Sequence, residues 1–287
     1  MITFVRRLGS LCALGLLGTA LTTGCGTSTD TSRAVARPSP PGSSRPGSSR
    51  PPTMAPGPAG LTPVFENGPR STRDRTVALT FDADMTAEQG ALAAAGKRFD
   101  NPRLIATLRR LRVPATVFMT GRWAEEYPAQ ARSIGRDPLF EVANHSYSHH
   151  AFTSDCYGLP TLPAGRMRAD VDRAFEAFRR TGVRDVLPYF RFPGGCYDRR
   201  ALKALASAGV TAVQWDVVSG DAFATDAEEV ARQVLDGVRP GSVVVMHCTS
   251  SAAPATERAV RIVVPELRKR GYRFARVSEL VAASAKR

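Results

Sequence analysis

The chain holds four histidines, in two places: His145, His149 and His150 within Asn144-His-Ser-Tyr-Ser-His-His150, and His247 at the end of Val243-Val-Val-Met-His247. The spacing of His145 and His149 lets two imidazoles meet one cation on a helical turn or a tight loop, a common arrangement for zinc or a similar divalent metal. Carboxylates stand at comparable places. Asp82 and Asp84 follow the apolar run Thr76 to Phe81, and Trp215-Asp216 follows another such run, with Asp221 a few residues on. Tyr189-Phe190 leads in the same way into Arg191-Phe-Pro-Gly-Gly195. Charged groups at the carboxyl ends of successive apolar strands are what a parallel sheet presents to one shared cleft.

The elements that must position these groups are legible as alternating patterns. Strand-like runs cover Thr76 to Phe81, Pro114 to Met119, Val186 to Phe190, Thr211 to Trp215, Ser242 to Met246 and Tyr272 to Val277. Helix-like segments lie between and after them, over 102–111, 124–134, 168–180, 199–208, 226–238 and 256–270. Thr225 with Glu228 reads as a capping box that starts one of these helices. Strands alternating with helices predict parallel βαβ units in one α/β domain over 71–287, as an open sheet or a barrel.

The flanking segment has a different character. Arg6 and Arg7 precede an apolar run from Leu8 to Leu21 and the small residues Thr22-Thr23-Gly24 before Cys25. This is an export signal, too short to span a bilayer comfortably. Its end resembles a lipoprotein cleavage box, with Thr22 where leucine is usual, so residues 1–25 predict export and a lipid anchor on Cys25 at the outer face of the cell membrane. An ordinary secretory signal is the other reading. Residues 26–70 are rich in Ser, Pro, Gly and Arg and predict a disordered spacer. The net charge of +13 would ordinarily raise nucleic acid as a partner, but export and the lack of a concentrated basic-aromatic stripe argue against it. Anionic wall polymers or lipid head groups suit the charge better. Beyond the leader, Cys156, Cys196 and Cys248 allow at most one internal bridge, and the pair stays open.

In their order, these motifs resemble the polysaccharide deacetylases of carbohydrate esterase family 4, over nearly the whole stretch from Thr76 to Val277. Thr80-Phe81-Asp82 is similar to the family's Thr-Phe-Asp-Asp-Gly start, and His145-Ser-Tyr-Ser-His149 to its metal motif. Arg191-Phe-Pro-Gly-Gly195, Trp215 to Asp221 and Val243 to His247 resemble the third, fourth and fifth motifs. The resemblance implies a distorted parallel (β/α) barrel, seven-stranded as is usual in the family. It implies hydrolysis of acetyl groups from a cell-wall or related polysaccharide with a divalent metal, zinc first, polarising the acetyl carbonyl. Asp82 is then the general base with Arg191 against it, His247 the acid that protonates the leaving group, and Asp221 the residue that orients His247. A backbone N–H near Gly194 completes the oxyanion site, and Trp215 and Val245 line the acetyl pocket.

The chain also departs from the family. Ala83 stands where a second aspartate is usual, which makes Asp84, His145 and His149 the expected metal ligands if the segment stays extended, since residues two apart share a face. Ala222 and Phe223 replace the tryptophan that usually follows the fourth-motif aspartate, Val245 replaces a common leucine, and the loop from Met85 to Phe99 is long. Two other readings follow from these residues: a catalytically inactive carbohydrate-binding homologue, and a metal-dependent amidase acting on a small molecule or peptide.

Overall fold

The computed structural model of the protein describes residues 51–71 and 73–285. The leader, Cys25 and the spacer up to residue 50 lie outside the described residues. Among the described residues nine strands form one sheet: β1 (Val64–Phe65), β2 (Thr76–Ala83), β3 (Ala115–Met119), β4 (Phe140–Asn144), β5 (Tyr189–Phe190), β6 (Thr211–Val213), β7 (Val217–Val218), β8 (Ser242–His247) and β9 (Arg273–Phe274). Their order is β1-β6-β5-β4-β3-β2-β8-β7, with β9 beside β2, and all the pairings described are parallel. The sheet curls into a half-barrel surrounded by helices. The architecture is the expected parallel (β/α) barrel type, but the count of seven is corrected to nine. The strands outside the central ones, β1, β5, β7 and β9, have two residues each.

The helices are α1 (Gly90–Ala94), α2 (Pro102–Arg110), α3 (Gly121–Glu126), α4 (Pro128–Gly135), α5 (Ala164–Thr181), α6 (Arg199–Ala204), α7 (Ala227–Gly237), α8 (Thr256–Lys269) and α9 (Val277–Ser284). Local chemistry sets several of their ends. Asn101 accepts from Leu104 N at 3.0 Å ahead of Pro102, and Thr120 accepts from Trp123 N at 3.1 Å. The expected helix 124–134 is two helices, because Pro128 lacks an N–H and restricts Tyr127 before it. The cap of α7 is Asp226, which accepts from Glu228 N at 2.9 Å, and not Thr225.

Two layers of core follow from the period of the strands. Val77, Leu79, Phe81 and Ala83 pack with Val117, Met119, Val244 and Met246 under the helices. The alternate residue Ala78 packs with Phe118, Ala143, Tyr189, Val213 and Val243 inside the curl.

The spacer boundary at residue 70 also needs correction. Residues 51–70 are laid along the barrel: Tyr189 Oη donates to Pro52 O at 2.6 Å, Phe65 is buried in the inner core, and β1 extends the free edge of β6. Arg70 then ties Asp216 at 2.7 Å. A run of polar and turn-forming residues gave little local sign of this, since its order comes from partners far away in sequence.

Candidate active site

The carboxyl ends of β2, β4, β5, β7 and β8 converge. On β2, Ala83 is fully buried on the helix side, while Asp82 and, one residue beyond the strand, Asp84 turn toward the histidines. Arg191, just after β5, donates from Nη1 to Asp82 Oδ1 at 2.7 Å. It is itself fully buried. Its Nε and Nη2 donate to Val213 O at 3.1 Å and Gln214 O at 3.3 Å, and its guanidinium lies 3.9 Å from the Phe118 ring centre and 5.3 Å from that of Trp215. Burial pulls the Arg191 pKa down and Asp82 opposes this. A guanidinium nevertheless keeps its charge. The fork holds Asp82 in one orientation, with Oδ2 turned to His145 Nε2 at 3.6 Å.

His145 follows β4 directly. Its Nδ1 meets the Arg191 carbonyl at 2.9 Å, and since a carbonyl only accepts, Nδ1 carries the proton and Nε2 presents a lone pair to the cleft. Nε2 of His149 stands 3.5 Å from Asp84 Oδ2, and the two imidazoles are 5.0 Å apart. Burial pushes both histidines down, His149 to about 4, against the pull of the nearby carboxylates. Both rings are therefore neutral donors at neutral pH. The segment between them is a tight loop. Ser146 (φ 70°) and His149 (φ 57°) are left-handed, which non-glycine residues seldom are. Asn144 Oδ1 accepts from Ser146 N at 2.8 Å, and Ser146 Oγ from His149 N at 3.0 Å.

Asp84 also accepts from Thr249 Oγ1 at 2.5 Å. Burial would raise its pKa, but the three histidines and Thr249 hold it below the ordinary value. Among the described residues, no group of three or more histidine, cysteine or acidic side chains is drawn together closely enough to form a metal centre as it stands. The donors nearest to one are Asp84 and His149, with His145 beside them. A gap of 3.5 Å between Nε2 and Oδ2 is close to the ligand separation of about 3.3 Å that a tetrahedral cation with bonds of about 2.0–2.1 Å imposes.

His247 closes β8 opposite Asp82 on β2 in the sheet register, on a neighbouring strand about 4.8 Å away. Its Nδ1 meets Asp221 Oδ1 at 2.8 Å. Asp221 is buried and further takes Ser219 Oγ at 2.9 Å, His247 N at 2.8 Å and Thr256 Oγ1 at 2.6 Å. Burial would raise the Asp221 carboxyl, yet the His247 charge and these donors hold it below the ordinary value. Burial opposes the charge on His247 too, but Asp221 prevails and pushes it up to about 10. The His247 side chain keeps 24% of its surface open to the cleft, so solvent tempers the size of that shift while leaving its direction.

Gly194 (φ 64°) and Gly195 (φ 74°) form a left-handed turn after Arg191. A Cβ on Gly194 would lie 2.5 Å from Cys156 Sγ, and one on Gly195 2.3 Å from the Trp215 ring. The turn is thus clamped between a disulfide, Cys156–Cys196, and Trp215. Val245 is buried two residues before His247, on the same face of the strand. Cys248 is the free thiol among the described residues, buried and pushed up to about 12 by that burial.

The fold thus brings together all ten residues singled out from the sequence. Sequence reasoning missed Thr249, Thr256 and Ser219, which hold the two flanking aspartates. Thr249 and Ser219 each lie two residues from a motif residue, which was the available signal; Thr256 begins a helix and gave none. The hollows of about 230 and 260 Å³ at the amino ends of the strands, one lined by Asp74, Thr76 and Arg273 and the other by Glu141, Arg184 and Arg276, lie apart from these groups.

Proteins of known kind are similar to this chain. A family model described as polysaccharide deacetylase matches residues 69–213. A chitooligosaccharide deacetylase of Sinorhizobium fredii is 30% identical over 185 residues, covering 60% of this chain and 80% of that protein. A crystal structure of a peptidoglycan N-acetylglucosamine deacetylase superposes with a TM-score of 0.64 at 24% identity, over 76% of this chain and 92% of that one. A carbohydrate esterase family 4 pseudoenzyme from Bacillus anthracis does so with 0.63 at 23%, over 80% and 70%. At such identities the two structures speak for the fold alone. The family match and the rhizobial relative go further, because half of the chain carries the family's sequence: it belongs to the polysaccharide deacetylases of carbohydrate esterase family 4.

Proposed function

We propose that the chain is a metal-dependent hydrolase that removes acetyl groups from a cell-wall or related polysaccharide, held at the outer face of the cell membrane by a lipid on Cys25. The observation that carries the reading is the pairing of a carboxylate and a histidine across neighbouring strands, each fixed by its own charged partner. Asp82 is oriented by Arg191 and acts as the base, and His247 is held protonated by Asp221 and acts as the acid.

A divalent cation, zinc first, fits the donors Asp84, His145 and His149, and its chemistry there is Lewis acidity toward the acetyl carbonyl. The chain's own groups supply the rest. Asp82 Oδ2 takes the proton of the attacking water while Arg191 occupies Oδ1. His247 Nε2, with Nδ1 engaged by Asp221, gives its proton to the departing amine or alcohol. A backbone N–H of the Gly194 turn supports the charge that develops on the acetyl oxygen. Trp215 and Val245 bound the space for the methyl group.

A second reading is favoured by Ala83, which stands where the family usually has an aspartate: a homologue that binds glycan without cleaving it. Acetate release from N-acetylated glycan oligomers and from acetylated xylan, with metal-stripped and zinc-reloaded protein, separates the two. The deacetylase reading expects release that depends on reloading. Glycan binding with no release after reloading would establish the binding homologue instead.

A further inference from the structure

Tyr157 and Phe223 are the two exposed aromatic side chains among the described residues, 76% and 80% open to solvent. Chance would scatter two such rings. Here they meet, with centroids 6.1 Å apart and planes at 45°, although they come from loops distant in sequence.

Both are tied to the active site. Cys156, beside Tyr157, is bridged to Cys196, beside Gly195. A Cβ on Gly194 would come within 3.4 Å of the Tyr157 ring. Tyr157 is held left-handed, at φ 50°, followed by Gly158 at φ 72°. Such a conformation persists in a tyrosine only where the surroundings fix it. Phe223 lies two residues after Asp221 and donates from N to Gly220 O at 2.9 Å. Trp215 thus lies over Gly195 and Tyr157 over Gly194, the preceding residue of the same turn, and Tyr157 in turn meets Phe223.

We infer that Tyr157 and Phe223 form a stacking platform for a pyranose unit next to the one that loses its acetyl group. The inference rests on the reading of the site as a glycan deacetylase. A pyranose ring presents an apolar C–H face that suits the negatively polarised face of an aromatic ring, while its hydroxyls stay in water at the edges. Two rings open to solvent outside the acetyl pocket have no role toward a single sugar or a small amide. They suit a chain that continues past the cleft.

The test uses Tyr157→Ala and Phe223→Ala in the full chain, both at the surface, with N-acetylglucosamine and its tetramer as probes for acetate release and for calorimetric binding. Each substitution is expected to lower kcat/KM on the tetramer about tenfold, mostly through KM, with the monomer unaffected. Phe223→Trp should retain the parent's preference for length. Equal losses on monomer and tetramer, or full retention of tetramer activity, would overturn the platform while the deacetylase reading stands. If the parent releases no acetate from either probe, tetramer binding decides instead. Weaker binding by the alanine variants upholds the platform, and equal binding, or none by the parent, overturns it.

Discussion

Asp82 and Asp84 are two residues apart and share a face, but their partners differ: Asp82 is forked by Arg191, and Asp84 faces His149 and accepts from Thr249. Asp84→Ala is therefore expected to lose bound zinc and activity together. Asp82→Asn should keep zinc at parental stoichiometry and lose about 10²–10⁴ in rate, the usual worth of a general base. Metal content and initial rates on the purified variants check both, and zinc retained in Asp84→Ala would remove Asp84 from the ligand set. For His247 the prediction concerns pH. Its pKa is raised to about 10 by Asp221, so the acid stays protonated until the pH rises through about 10. Asp221→Asn should bring the alkaline limb of kcat/KM down toward 6.5, the ordinary value. The same pair affects folding. The His247 share of stability is complete below 6.5 and fades as pH rises through about 10. The Asp221 share is complete above 3.8 and fades as pH falls through its lowered folded value. The stability gap between parent and Asp221→Asn, followed by urea denaturation, should thus be widest between these limits.

Two features of the elements hold the sheet and the rim in place. β1 covers the free edge of β6 and inserts Phe65 into the inner core, and the chain just after it passes close against Gly241, where a Cβ would lie 2.6 Å from the Gly68 carbonyl oxygen. Phe65→Ala should cost about 3–5 kcal/mol, read as a fall in the denaturation midpoint. Unchanged stability would mean that the segment merely lies on the barrel. The Cys156–Cys196 bridge spans 40 residues of sequence and braces the loops that carry Tyr157 and the Gly194 turn. Its loss in Cys196→Ser should cost about 4 kcal/mol in the chain-entropy limit, checked by the thermal midpoint of the oxidised parent beside the variant.

On the scale of the whole molecule, the full chain's net charge of +13 predicts an attraction to anionic polymers and head groups that added salt should weaken. The proposed anchor makes a sharper prediction. Cys25→Ser is expected to move the protein from the membrane fraction to the medium with its deacetylase activity intact. Equal release of the parent would remove the lipid anchor and leave export in place.

Strong, long patterns decided much of this protein from sequence alone. β2, β3 and β8 are continuous apolar runs, and the polar residues that end them announce a cleft, because a parallel strand can deliver its last side chain only to that end of the sheet. The family's motifs supplied their roles. Tertiary structure decided what has no local signal. β1, β5, β7 and β9 are two residues long and exist through the hydrogen bonds of their partners rather than through propensity. β4 is absent from the strand-like runs of the sequence because Phe140–Asn144 carries Glu141 as its second residue, and Glu141 is accommodated by Thr116 and Ser278 from elsewhere in the chain. Val277 was read as the end of a strand, but it starts α9, where its N–H finds Thr116 Oγ1. The choice of Cys196 as partner of Cys156, and the meeting of Tyr157 with Phe223, depend on the distance between loops. Composition and spacing along the chain do not encode that distance; the curl of the sheet sets it.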